Sequence, residues 1–351
     1  MKQLLYIGRP NLGENLFATP CLELLSKNYE ITLVTPKFTF PIFKNYSFIN
    51  SLLPRNLGTS SNIITEETKT LLRYLTSSGE WYSACHHDYE LDFLKLIPEL
   101  SNLKQYPVLI DKQVNACSNA YRSRRHLSRT RKYMLKLQLM SLQDTINYDC
   151  TIRCPTFISE NKNKKVVVYE GSTENLRKLP IETMRKFMNV QPDAVYLVNK
   201  KTAESLEFNK NKIQYIPIDG SDEESMQNII KLFESHTKVL IGPDAGLTQL
   251  AIGYKIPLIW LQSRVWIDWI IDYQYRKCCK VYFKKELSCK QNCQGCVVRK
   301  YIKDEISPTG EFFLPEHVHS EIIFKNLECR DDPVCLNYSD AEVREIVQMI
   351  D

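Results

Sequence analysis

Three short segments of this chain hold residue types that could do chemistry, and each follows an apolar run. In the first, Val239-Leu240-Ile241 leads into Gly242-Pro243-Asp244-Ala245-Gly246-Leu247-Thr248-Gln249. A strand, a tight turn and a glycine that opens a helix aim unpaired backbone N–H groups at whatever lies beyond the strand, which suits a phosphate or diphosphate. Gly246 lets the backbone come close, and Thr248 adds a hydroxyl. In the second, Val166-Val167-Val168-Tyr169 runs into Glu170-Gly171-Ser172-Thr173 and then Arg177-Lys178-Leu179-Pro180. Hydroxyls and cations stand there at the strand end where an open α/β sheet binds ligands, although a solvated helix start would look the same. In the third, Leu4-Leu5-Tyr6-Ile7 enters Gly8-Arg9-Pro10-Asn11-Leu12-Gly13-Glu14. A carboxylate just past such a loop can take a proton. It equally complements the dipole of the helix it begins.

The elements that would position these segments repeat along the chain. Ile31–Thr35 reads as a second strand, Glu66–Tyr82 as a helix-rich stretch, and Tyr106–Ile110 as a further strand with its proline near the entry. Thr151–Lys165 is a polar connector and marks a boundary. After it the rhythm restarts with strands at Val166–Tyr169, Ala194–Val198, Ile213–Pro217, Val239–Ile241 and Leu258–Leu261. Ser221 with Glu224, and Ser339 with Glu342, have capping-box spacing ahead of apolar helix faces. Alternating strands and helices predict an α/β fold with parallel sheets.

The three segments, in their order along the chain and at about these separations, resemble the lipopolysaccharide heptosyltransferase family. The matching residues are Gly13-Glu14 with Pro20, the stretch Val166–Thr173 with Arg177 to Pro180, and Asp244–Gln249. Against the family pattern, Glu14 stands for Asp, Leu179 for Trp, Ala245 for a hydroxyl residue and Gln249 for His. The resemblance implies a GT-B fold, two Rossmann-like parallel-sheet domains facing across a cleft. It divides the chain into an acceptor-side domain at 1–157, a nucleotide-sugar donor domain at 158–330 and a tail helix at 331–351. The implied activity is inverting, metal-independent transfer of a heptose-like sugar from a nucleotide-diphosphate donor to an anionic surface glycan or glycolipid such as lipopolysaccharide core. Glu14 would be the base. Ser172, Thr173, Arg177 or Lys178, and the segment Asp244, Ala245, Gly246, Leu247, Thr248 and Gln249 would hold the donor, with Asp244 accepting from a sugar hydroxyl. Glu204, after the strand at 194–198, would accept from a ribose hydroxyl or stand as a surface acid. Transfer to modified DNA or another polymer, and a degenerate module that binds without turnover, are the alternatives.

Composition bounds these readings. The chain has 351 residues, 43% hydrophobic and 25% charged, with a formal net charge of +5. That is long enough for two domains and mild enough in charge that nucleic acid is not demanded. No apolar run has the length of a membrane span, and the N-terminal residues enter a strand without a signal-peptide pattern, so a cytoplasmic protein, with peripheral contact at the inner membrane face, is expected. No Asp-x-Asp sequence is present to hold a catalytic metal, so no catalytic cofactor is expected. Arg122, Arg124, Arg125, Arg129, Arg131 and Lys132 crowd residues 121–133. With Arg9, the first four would grip an anionic acceptor, or the strip is a solvated face. Of the 12 cysteines, Cys289, Cys293 and Cys296 form the tight group, read either as a structural zinc site or as free thiols. His86-His87-Asp88 reads as a loop that touches acceptor.

Overall fold

The computed structural model describes residues 1–55, 79–85, 103–108, 128–154, 164–172, 177–218, 223–263, 278–282 and 334–350, with a few single residues between them. These fall into two compact units. The first draws on Met1–Arg122, Leu127–Thr156 and Gly220–Ile230, and the second on Phe157–Asp219 and Lys231–Asp351.

The first unit is built on β1 (Lys2–Ile7), β2 (Tyr29–Pro36), β3 (Ser51–Arg55), β4 (Trp81–Ala84) and β5 (Lys104–Gln105). All pair in parallel, in the order β3-β2-β1-β4-β5. Central β1 carries Leu4, Leu5, Tyr6 and Ile7 in succession, all fully buried. A continuous apolar run is what a strand covered on both faces requires. Helix α1 (Leu12–Leu25) follows β1. Its N-cap is Asn11, whose side chain accepts from Glu14 N at 3.1 Å. The one-turn helix α2 (Phe40–Phe43) lies between β2 and β3, and α3 (Arg129–Lys136) and α4 (Leu142–Asn147) follow β5.

Two expectations for this unit are corrected. Trp81–Ala84, whose first residues fell within the stretch read as helix-rich, is strand β4, paired to β1. Four residues carry too little periodicity to separate strand from helix. The strand expected at Tyr106–Ile110 is instead Lys104–Gln105. The Tyr106 amide still donates to Ser83 O at 2.8 Å, and the next residue, Pro107, has no N–H to continue the ladder. Leu109 and Ile110 lie outside the described residues.

The second unit repeats the plan with six parallel strands: β6 (Lys165–Tyr169), β7 (Val195–Val198), β8 (Tyr215–Pro217), β9 (Thr237–Gly242), β10 (Leu258–Leu261) and β11 (Cys279–Tyr282). Their order is β11-β10-β9-β6-β7-β8. Between them in sequence run α5 (Ile181–Val190), α6 (Lys200–Ser205), α7 (Glu223–Ser235), whose residues up to Ile230 group with the first unit, and α8 (Gly246–Gly253). The last helix, α9 (Asp340–Gln348), begins at the expected capping box of Ser339 and Glu342. It buries Val343 and Ile346 beside Leu336 and Tyr338 in the core shared by β6, β7, β9, β10 and α5. Lys186 donates to Tyr338 O at 2.7 Å, and Thr183 Oγ1 to Leu336 O at 3.0 Å. No described helix is long and apolar enough to cross a membrane.

Candidate functional site

In each sheet the chain first moves outward on one side of the starting strand and then returns to its other side. The reversal falls between β1 and β4 in the first unit and between β6 and β9 in the second. Loops leaving the carboxyl ends of two such strands diverge and leave a crevice, the usual ligand position of an open α/β sheet. All three segments singled out in the sequence follow strands at these reversal points: the one after β1 in the first unit, and those after β6 and β9 in the second.

In the second unit, the loops after β6 and β9 meet. Gly171 sits at φ +110° and pairs with Lys178 in an antiparallel bridge. Ser172 N donates to Arg177 O at 2.9 Å and Leu179 N to Glu170 O at 2.6 Å. This turn presents Arg177 and Lys178 side by side, each held by a buried acid. Arg177 Nη1 lies 3.3 Å from Asp244 Oδ2, with the carboxylate 1% exposed and the arginine 25%. Lys178 Nζ lies 3.5 Å from Glu170 Oε2, while Glu170 Oε1 accepts from the Asn199 backbone at 2.6 Å. The Tyr169 phenol lies in the same group. Burial pushes its pKa well up and Glu170 adds to this, while Arg177 and a hydrogen bond from the Leu247 backbone pull it down.

Helix α8 opens at Gly246 with Ala245 at the N-cap, whose own side chain makes no capping bond, while the Leu247 backbone bonds the Tyr169 phenol. The dipole at this helix start favours an anion. Gln249 Nε2 donates to Asp244 Oδ1 at 3.0 Å. Thr248 donates its hydroxyl to Pro243 O at 2.7 Å and is fully buried, so it closes the turn rather than standing at its mouth. Leu247 is buried in the same helix. Glu204 is exposed on α6, beyond the end of β7. Sequence reasoning passed over Glu170, although an acid directly after the last buried residue of a strand was a readable signal.

A Cβ added at Gly171 would lie 2.1 Å from Arg177 O and 2.7 Å from Pro243 Cγ. Gly171→Ala is therefore expected to destabilise the protein by about 2 kcal/mol or more, from backbone strain and a clash that only loop movement relieves. A urea unfolding curve superimposable on wild type would contradict this geometry.

In the first unit, Glu14 is buried in the first turn of α1. Tyr133 of α3 donates its hydroxyl to Glu14 Oε2. Arg9 Nη1 stands 3.8 Å from Glu14 Oε1. Asn15 fastens this loop: its Oδ1 accepts from Arg9 N at 2.7 Å, and its Nδ2 donates to Arg9 O at 2.9 Å and Thr35 Oγ1 at 3.0 Å. Arg131, part of the basic strip, is turned inward, 2% exposed, and donates to Tyr148 O at 3.2 Å. Arg129 opens α3. Thr173, Arg122, Arg124, Arg125, the His86-His87-Asp88 loop and Cys289, Cys293 and Cys296 lie outside the described residues.

Among the described residues the cysteines at 21, 85, 150, 154, 278, 279 and 335 are in no disulfide, and no three metal-ligating side chains converge. Burial pushes the Cys21 thiol well up and that of Cys154 to about 12, which keeps both protonated and inert.

The fold is shared with glycosyltransferases of known structure. A glycosyl transferase family 9 protein of Veillonella parvula superposes with a TM-score of 0.62 at 12% identity, over 99% of this chain and 97% of that one. ADP-heptose lipopolysaccharide heptosyltransferase II of E. coli gives 0.55 at 13%, over 80% and 90%. The dodecameric iron-containing heptosyltransferase TibC of enterotoxigenic E. coli, solved with ADP-D-β-D-heptose, gives 0.51 at 11%, over 100% and 78%. At these identities the likeness establishes the fold, which is of the GT-B type. No family model matches the chain, and no curated protein matches its sequence.

Proposed function

We propose that this protein is a glycosyltransferase that moves a heptose-like sugar, with inversion, from a nucleotide-diphosphate donor to an anionic glycan or glycolipid. The observation that carries this reading is the bridge between Gly171 and Lys178, set against the loop that opens α8. Arg177, anchored on buried Asp244, stands there with the N-terminal end of the helix at the reversal point of the second sheet. That is an arrangement for a departing diphosphate, whose growing charge must be stabilised without a bulk-water response.

In this reading the acceptor hydroxyl attacks the anomeric carbon, its proton passes to Glu14, and the bond to the diphosphate breaks with the electron pair leaving on the diphosphate oxygen. Arg177, Lys178 and the first amides of α8 receive that charge. Asp244 has both oxygens engaged, one by Arg177 and one by Gln249, so its first task is to aim the guanidinium. Arg9 and the arginines of the 122–129 strip are proposed for the acceptor side. The strip and the anionic acceptor together favour action at the inner face of a membrane from the cytoplasm. The chain divides for this purpose near residue 157, with the donor side at 158–330.

A catalytic metal is not part of the proposal, because no Asp-x-Asp sequence is present. Cys289, Cys293 and Cys296 are proposed as ligands of a structural metal; zinc suits three thiolates, and the iron of TibC makes iron the second metal to assay. The reading of a module that binds without turnover draws on one feature: both cations are already neutralised by buried acids.

ADP-heptose should raise the melting temperature of the protein, since a ligand of the native state adds to its stability. ADP release and sugar transfer should survive EDTA. Binding without ADP release under any acceptor would favour the module reading. Turnover lost on chelation and regained with magnesium would sink the metal-free mechanism. Loss of folding regained with zinc would place the structural metal at the cysteines.

A further inference from the structure

The basic strip at 121–133 stands out in the sequence for its arginines, yet its last residue makes the telling contact. The described part of the strip, Ser128–Tyr133, turns inward as α3 begins. Ser128, Thr130, Arg131 and Tyr133 are all buried, and α3 packs against α1. The packing delivers the Tyr133 hydroxyl to Glu14 Oε2 from 119 residues away in sequence. Arg9 faces the other carboxylate oxygen. Glutamate has three side-chain torsions, and a buried carboxylate that must meet a hydroxyl at hydrogen-bond range needs those torsions fixed. Tyr133 supplies a rigid arm with two torsions whose ring is locked by its own burial. A hydroxyl donated to the carboxylate also favours its charged form.

We propose that Tyr133 is the positioning residue of Glu14, holding the carboxylate charged and aimed while keeping its own proton throughout. This rests on the reading of Glu14 as the base, so the test separates the two. Tyr133→Phe, which keeps the ring and removes only the hydroxyl, is compared with Glu14→Gln and with the double variant. The probe for turnover is ADP release from ADP-heptose. The probe independent of turnover is the carboxyl ¹³C signal of Glu14, assigned by its loss in Glu14→Gln.

The expected results are a roughly tenfold lower kcat in Tyr133→Phe with the KM for ADP-heptose within about twofold, and the acidic limb of the pH–rate profile moved upward. The Glu14 signal should titrate about one pH unit higher, the worth of a hydrogen bond to a charged group. In the Glu14→Gln background the tyrosine hydroxyl should matter less than about twofold, because the two act as one unit. A Glu14 signal that titrates as in wild type overturns the proposal, whatever the rates do. A lower melting temperature with an unmoved titration makes Tyr133 a packing residue only. If Glu14→Gln turns over normally while the titration shifts, the base assignment falls and the positioning contact stands.

Discussion

Glu14→Gln is expected to lower sugar transfer by about 100-fold or more while leaving donor affinity nearly intact. Glutamine has the shape of glutamate and can still accept from Tyr133, so α1, its Asn11 cap and the Asn15 clasp should all persist. What disappears is the basicity needed as the acceptor oxygen attacks, a contribution that general-base catalysis sets at about 10²–10⁴-fold. The residues proposed for the donor, Arg177, Lys178 and the start of α8, belong to the other unit, so the dissociation constant for ADP-heptose should stay within about twofold. A kcat within about threefold of wild type would remove Glu14 from the chemistry and leave it as a partner of the helix dipole.

Arg177→Met should destabilise the protein by about 2–3 kcal/mol, and Asp244→Asn in the same chain should restore most of that loss. The asymmetry of exposure decides the direction. Asp244 is 1% exposed and Arg177 25%, so removing the cation leaves the buried carboxylate on the Gln249 amide without its counter-charge. Breaking a buried pair costs about 3–5 kcal/mol, and the partial exposure of Arg177 brings the expectation to the low end or below. Asparagine removes the stranded charge yet still offers Gln249 an acceptor. Both variants should lose donor affinity, because neither has the guanidinium. Urea denaturation checks the stability arm. A double variant no more stable than Arg177→Met would show that the pair is not what secures this turn.

The parts of this architecture legible in the sequence were those with local causes. Val166–Tyr169, Val239–Ile241 and Leu258–Leu261 are apolar runs in a doubly covered sheet, and they read as strands because burial on both faces leaves no polar positions. The Ser339–Glu342 box was legible because both halves of the cap lie within one turn. Strand β3 escaped because Pro54 interrupts Ser51–Arg55. It is an edge strand, where a missing N–H is tolerated. At the site, Gly242-Pro243-Asp244 announced its turn, while the pairing of Lys178 with Glu170 and of Tyr133 with Glu14 depends on packing that no spacing encodes. The arginine strip was legible as charge, and its charge hid the buried face of the helix it enters.

The docking of α9 has a consequence for the order in which the protein can be made. The second core needs Val168 from its first strand and Ile346 from its last helix in one packed cluster. A ribosome adding about 5–20 residues per second needs on the order of ten seconds or more to pass from one to the other. During that interval parallel strands β6, β7, β9 and β10 are made in turn and leave the ribosome without the helix that covers part of their core. Nascent chains stalled before residue 340 should therefore hold a second unit that binds chaperones and yields to protease, and release of the stall should end both.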